Sequence, residues 1–326
     1  MQLILNAFGT SLQKENGLFV VRTDAGKQQV FPEKVKSIHI SKGATISSDA
    51  ALLALEYEID VFFTDNTGMP AGRIWSGKYG SISTIRRNQI DFSVSAAAVD
   101  WIKELIIQKI NNQGALLLTF AAPSKPDDMQ QAVRRMDVYK QKIEETAGQL
   151  VNDIAPSLRG WEGAAGKVYF GKLAEIMPDA LRFEGRSMRP AYDVFNMLLN
   201  YAYGMLYARV ESALIKAGVD PYIGVLHRED YNRPALSFDV IELYRVWADY
   251  VVVSLCLQQV IDADCYRKTP DGGFWLETQG KRILIQSMND YFDEVILLNG
   301  LMRSRGVHID VYAQQLAQML LKFRPQ

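Results

Sequence analysis

A change of hydrophobic period near residue 90 limits what this chain can become. Before it, apolar residues alternate or gather in short runs, as half-buried and buried strands do. Gln2–Leu5, Gly17–Arg22, Gln28–Phe31, Val35–Ile40, Ile59–Asp65 and Ala71–Trp75 read this way. Glu15–Asn16–Gly17 is a hairpin turn signal, and one helix interrupts the strands over Ser48–Glu58, where Ser and Asp open an apolar periodic run. From Ser95 onward the apolar period becomes 3.6. Helices are expected over Ala96–Ile110, Met129–Leu150, Arg159–Met177, Asp193–Lys216, Ser237–Ile261 and Val311–Phe323, with Gly218 where a C-cap glycine belongs. Tyr266–Leu284, carrying Pro270, Gly272, Gly273 and Gly280, breaks the period as a β-hairpin among helices would. The expected fold is α+β. A small β-rich domain with one helix covers 1–90, and a larger, otherwise all-helical domain covers 91–326, linked through Gly77–Asp91.

The 326 residues are long enough to bury a sizeable core without disulfides or metals as staples. The formal net charge is −1, so any nucleic acid must be met by basic residues gathered on one face. Two such gatherings exist. Arg73, Lys78, Arg86 and Arg87 lie in a stretch without acids, beside Trp75 and Tyr79; Arg182, Arg186 and Arg189 surround Glu184, beside Phe183. Guanidinium and aromatic groups together suit phosphate contact and base stacking, although a basic run is also an ordinary solvated surface. Cys256 sits in an apolar run and reads as a small core residue, and two cysteines make neither a thiolate zinc site nor a disulfide framework. The first residues lack the pattern of a signal peptide, and no apolar run reaches the roughly 20 residues of a membrane span. A reduced, cytoplasmic setting is expected.

Three short segments could carry chemistry. His227 ends the apolar run IGVLH and enters the polar loop REDYNRP, a position well placed for a metal ligand; read alone it favours a surface or half-buried histidine with one hydrogen bond. Asp239 and Glu242, in SFDVIELYR, are three residues apart and share a helix face. Read alone they favour capping: Asp239 as N-cap, Glu242 at N3, with Arg245 as a further partner of Glu242. Glu162, in RGWEGAAGKVYFGKL, stands beside an apolar helical face and among glycines, which let either a packed helix or a nucleic-acid backbone come close. One histidine nitrogen with two or three carboxylates is an oxygen-rich set that suits Mg2+ or Mn2+ better than zinc. The separations of 65 and 15 residues mean that only tertiary folding can unite these groups.

In order along the chain, GMPAGRIW (Gly68–Trp75), WEGAAGKVYF, GRSMRPAYDVFNMLLNYAYGMLY (Gly185–Tyr207), the histidine loop and LSFDVIELYR resemble the CRISPR-associated integrase of spacer acquisition. The similarity spans nearly the whole chain. It implies that Glu162, His227 and Glu242 are metal ligands, with Asp239 an auxiliary acid and Asp193, Arg189 and Asn196 lining or supporting the site. It implies a Mg2+- or Mn2+-dependent DNA endonuclease and integrase that inserts short DNA fragments by 3′-hydroxyl attack on a phosphodiester. Double-stranded DNA would be held through Arg73, Lys78, Arg86, Arg87, Arg186, Arg189 and Asn196. A homodimer formed through the β-rich domain, a small ferredoxin-like partner subunit and no membrane association complete what the resemblance implies. A DNA nuclease that never integrates, a non-catalytic DNA-binding scaffold and a transposon-encoded relative are the competing readings.

Overall fold

The computed structural model describes residues 1–64, 70–74, 82–121, 126–227 and 233–324. The chain divides into two compact units, Met1–Gly80 and Ser81–Gln326.

Among its described residues, the first unit holds two four-stranded sheets and one α-helix. Its elements are β1 (Gln2–Leu5), β2 (Ser11–Glu15), β3 (Leu18–Thr23), β4 (Gly26–Val30), β5 (Ser37–Ser41), β6 (Thr45–Ile46), α1 (Ser48–Glu56), β7 (Asp60–Thr64) and β8 (Pro70–Ile74). One sheet runs β1-β5-β7-β8, with only β8 antiparallel to its neighbour; the other runs β4-β3-β2-β6. The turn between β2 and β3 is the expected one. Asn16 and Gly17 both adopt positive φ, 50° and 76°, which the mirror-image hairpin turn requires, and Glu15 pairs with Leu18 across it. Ser47 caps α1 by accepting from the Ala50 amide at 3.2 Å. The strands' inward positions Leu3, Leu5, Leu12, Phe19, Ile38, Ile40 and Val61 form one core with Leu53 of α1.

The second unit is mostly helical: α2 (Ile82–Ser93), α3 (Ala96–Thr119), α4 (Pro126–Glu145), α5 (Val151–Ile176), α6 (Val194–Lys216), α7 (Ala235–Ile241) and α8 (Arg245–Leu257), then α9 (Thr278–Asp293) and α10 (Arg305–Lys322). Helices α3, α4 and α5 pack on one another, while α6 meets α7, α8 and α10. Helix α6 is buried on every side, as a helix with apolar residues all round must be. Among the described residues two hairpins interrupt the helices: β9 (Tyr266–Lys268) with β10 (Phe274–Leu276), the hairpin expected within Tyr266–Leu284, and β11 (Val295–Leu298) with β12 (Leu301–Ser304), which corrects the otherwise all-helical expectation. The second turns at Asn299–Gly300, both at positive φ, a signal legible in LLNGLM.

The division falls earlier than residue 90, because α2 belongs to the helical unit. Asn88 donates to the Leu320 carbonyl at 2.8 Å, Gln89 to those of Asp220 and Ile223 at 2.7 and 2.9 Å, and Phe92 packs edge-on against Phe323. The buried face of α2 is Ile85, Asn88, Gln89 and Phe92; two amides in that stripe hide its helical period. No helix among the described residues is long and apolar enough to cross a membrane.

Candidate active site

Helix α5 carries Glu162 toward α3, where Lys109 stands at the end of the stripe Ile102, Leu105 and Ile106. The Lys109 ammonium binds Glu162 Oε1 and also reaches Glu242 Oε2 at 2.5 Å. Glu242 is not inside a continuous helix. The expected helix over Ser237–Ile261 breaks into α7 and α8, and Glu242 is the C-cap of α7. Its amide bonds back to the Asp239 carbonyl in a tightened last turn. Asn112 of α3 donates to the Leu243 carbonyl at 3.0 Å and satisfies an acceptor that the break leaves free.

A carboxylate at a helix C-terminus opposes the helix dipole. Two cations offset this at Glu242. Arg245 Nε donates to its Oε1 at 2.8 Å, and Lys109 engages its other oxygen. Burial alone would raise the Glu242 pKa; Arg245 and Lys109 overcome it and hold the value at about 2. Burial likewise works against the Lys109 charge, but Glu242 and Glu162 raise its pKa. Side-chain exposures of 12% for Lys109, 18% for Glu162 and 5% for Glu242 place this cluster where water screens it little.

Asp239 is fully buried inside α7 and caps nothing at that helix's N-terminus, so the capping reading of the Asp239–Glu242 pair is corrected. Its carboxylate faces the loop before His227. Oδ2 accepts from the amides of Val225 and Leu226 at 2.7 and 3.3 Å; Oδ1 accepts from the His227 amide at 3.2 Å and lies 2.7 Å from His227 Nδ1. Arg159 of α5 holds the same loop through the Leu226 carbonyl at 2.9 Å. With Nδ1 engaged by a carboxylate, Nε2 is the ring nitrogen left for a ligand. Burial lowers the His227 pKa, but the hydrogen bond and charge of Asp239, with Glu242 and Glu162 beyond, raise it overall.

Beneath the carboxylates lies a second buried network. Asp249 of α8 accepts from the hydroxyls of Tyr169 and Tyr203, each at 2.7 Å, and burial raises its pKa. The Arg245 guanidinium lies 4.6 Å from the Tyr203 ring and donates to Tyr207 Oη at 2.8 Å. Sequence reasoning missed Lys109 and Asp249. Each is a charge on an otherwise apolar helix face, which is a legible sign of a buried ionic partner.

The expected DNA contacts separate into groups. Asn196 is fully buried, which corrects its assignment to the DNA surface. Its amide donates to the Gly185 carbonyl and to Asp193 Oδ2, both at 2.7 Å, and its Oδ1 accepts from Arg186. Arg186 is committed to that bond and to Asn200 Oδ1 at 2.9 Å, so it too braces the Gly185–Asp193 segment. Asp193 caps α6 by accepting from the Asn196 amide. Arg189 and Arg87 are exposed; Arg86 is half-buried and lies 3.9 Å from Asp220. Arg73, on β8, is half-buried, and Lys78, Trp75 and Tyr79 lie outside the described residues. His39, on β5, packs on Phe62, and burial holds its pKa down at about 4.

Among the described residues, no three His, Cys, Asp or Glu side chains converge on a metal-sized point. Two carboxylates nevertheless converge on one cation, the Lys109 ammonium, and the His227 imidazole belongs to the same electrostatic neighbourhood. That donor set fits a divalent ion that prefers oxygen.

The family model described as CRISPR associated protein Cas1 matches residues 3–290. A CRISPR-associated endonuclease Cas1 of Archaeoglobus fulgidus is 32% identical over 309 residues, covering 90% of this chain and 88% of the relative. A casposase bound to integration product superposes with a TM-score of 0.84 at 19% identity, over 100% of this chain and 92% of that one. A chain of a Cas6-RT-Cas1–Cas2 complex superposes with a TM-score of 0.81 at 22% identity, over 98% of this chain and 35% of that one. The two structures share the fold: a β-rich N-terminal region and a helical C-terminal region. By the extent of the family match and the identity to its relatives, this chain belongs to the CRISPR-associated protein Cas1 family.

Proposed function

We propose that this chain is a divalent-metal-dependent DNA integrase whose site is Glu162, His227 and Glu242. The observation that carries this is the convergence of the Glu162 and Glu242 carboxylates on one cation, beside a histidine whose Nδ1 is taken by Asp239. Mg2+ or Mn2+ bound there would neutralise phosphate oxygens and orient the attacking oxygen. The chain's own contribution is positional. Asp239 sets the tautomer and direction of the His227 ring, Arg245 keeps Glu242 ionised, and Asn112 and Arg159 fix the α7–α8 break and the histidine loop. In the reaction, the 3′-hydroxyl of a DNA fragment attacks a phosphodiester. The hydroxyl gives up its proton as a new P–O bond forms, the old P–O bond breaks, and the leaving 3′-oxygen takes up a proton, so no net proton is gained or lost. No protein nucleophile is needed, so rate enhancement rests on orientation and electrostatics.

The casposase captured on an integration product supports strand transfer as the chemistry of this fold, and the complex with Cas2 supports a small protein partner, here taken as ferredoxin-like. Homodimerisation through the β-rich unit belongs to the same proposal. The relatives' name, endonuclease, favours a second reading in which water replaces the 3′-hydroxyl and nothing is joined. One assay separates them: a labelled fragment is incubated with a repeat-bearing plasmid and Mn2+. The integrase yields joined product, whereas cleavage without joining selects the nuclease. Glu162→Gln, His227→Ala and Glu242→Gln should each lower joining by about 100-fold or more while circular dichroism stays native. Near-wild-type joining by any one of the three would refute the site.

A further inference from the structure

Among the described residues, Lys109 is the cation that touches both carboxylates of the proposed metal site. It comes from α3, while Glu162 comes from α5 and Glu242 from the end of α7. Its ammonium lies against Glu162 Oε1 and 2.5 Å from Glu242 Oε2, so it occupies the position between the two oxygens. Arg245 binds the other oxygen of Glu242 and stacks over Tyr203 and Tyr207, which leaves it little freedom to move. Lysine differs: four flexible carbons carry a compact charge that can be withdrawn without breaking a planar stack.

Charge balance points the same way. Glu162, Glu242 and Asp239 carry three negative charges against the two positive charges of Lys109 and Arg245, with His227 neutral as a ligand must be. A divalent ion added beside this set unchanged would leave one uncompensated positive charge in a poorly screened cluster, which is costly. Withdrawal of one monovalent cation removes that excess. Arg245 cannot be the one withdrawn without taking the Nε donor from Glu242 Oε1.

We propose that Lys109 is a built-in substitute for the metal: its ammonium bridges Glu162 and Glu242 in the metal-free protein and is displaced when a divalent ion binds. The inference rests on the metal-site reading above. It makes Lys109 a competitor of the ion and a stabiliser of the metal-free fold, a role distinct from that of a ligand. Two like charges, Glu162 and Glu242, are held together at low cost until the ion arrives. The site then loads only above a metal concentration set by this competition.

The experiment is calorimetric titration of Mn2+ into the full chain without DNA, for wild type, Lys109→Gln and Lys109→Arg, with melting temperatures measured with and without Mn2+. Lys109→Gln should bind Mn2+ at least about tenfold more tightly. It should melt lower than wild type without metal and gain more on its addition. Lys109→Arg retains a competing charge and should stay near wild type in affinity. Equal or weaker Mn2+ binding by Lys109→Gln, with wild type binding normally, overturns the inference and leaves the metal site standing. Absence of Mn2+ binding in all three proteins overturns the metal site and the inference with it. If Lys109→Gln does not fold without metal, recovery of native circular dichroism on refolding in Mn2+ supports the displacement, and failure to recover overturns it.

Discussion

At the scale of residues, the centre of this protein depends on how few atoms are left to choose their partners. Asp239 commits both carboxylate oxygens to three amides and one imidazole, and is fully buried while doing so. Asp239→Asn cannot reproduce this. An amide nitrogen turned toward Val225 sets donor against donor; turned toward His227 it forces Nδ1 to accept and puts the proton on Nε2, where a metal would bind. We expect a stability loss of about 1–3 kcal/mol in denaturant titrations, with a fall in Mn2+ affinity measured calorimetrically. Retention of wild-type affinity would show that the ring orientation is set elsewhere. The candidate ligands were legible in the sequence only through the family pattern. Locally Glu242 read as a cap residue and His227 as a loop histidine, because the cations and the acid that give them their roles lie in other segments.

At the scale of elements, the site depends on a close approach between the histidine loop and α7. A Cβ placed on Gly224 would lie 2.6 Å from the Ala235 Cβ and 2.8 Å from the His227 carbonyl oxygen. Both are too close, and neither neighbour is the flexible end of a side chain. Gly224→Ala should therefore push the loop off α7. The expected cost is about 1–3 kcal/mol of stability, together with weaker Mn2+ binding, because His227 moves with the loop. A variant with unchanged stability and metal affinity would mean that the loop yields without moving the imidazole. The same kind of approach misled the sequence reading farther on. Gly280 reads as a helix breaker, yet it lies inside α9, where a Cβ would meet the Cys265 carbonyl at 2.5 Å. Close packing, rather than a turn, explains that glycine. The break between α7 and α8 was hidden for the opposite reason. No glycine or proline marks it, and a tertiary hydrogen bond from Asn112 holds it together with the local one from Arg245 to Glu242.

At the scale of the whole molecule, a net charge of −1 means that DNA is not attracted by bulk charge. Under the proposed function, binding would come from a local basic surface, and burial sorts the candidates. Arg87 and Arg189 are exposed, whereas Arg186 and Asn196 are committed to each other and to the start of α6. Removing one cation that neutralises a phosphate should flatten the dependence of log affinity on log salt by about 0.9 for duplex DNA. Arg87→Gln with Arg189→Gln should therefore reduce the slope by nearly twice that amount, read by fluorescence anisotropy across a salt series. Arg186→Gln should lower thermal stability with little change in slope. A full unit of slope missing in Arg186→Gln would place its guanidinium on the DNA after all.

The class of fold and the order of its parts were legible residue by residue along the chain. Side-chain period is a local property: alternation makes the strands of the first unit, and the 3.6 period makes the long helices of the second. Turn chemistry is local too, and Asn16–Gly17 behaves as its dipeptide requires. Where polar side chains take core positions, as Asn88 and Gln89 do in α2, the local signal fails, because their amides are satisfied by carbonyls more than a hundred residues away. The site, by contrast, is a product of folding in three dimensions. Folding broke one expected helix at Glu242, turned Asp239 from a cap into the holder of His227, and brought Lys109 between two carboxylates. Buried charges are placed by their partners, and those partners come together only when the chain has folded.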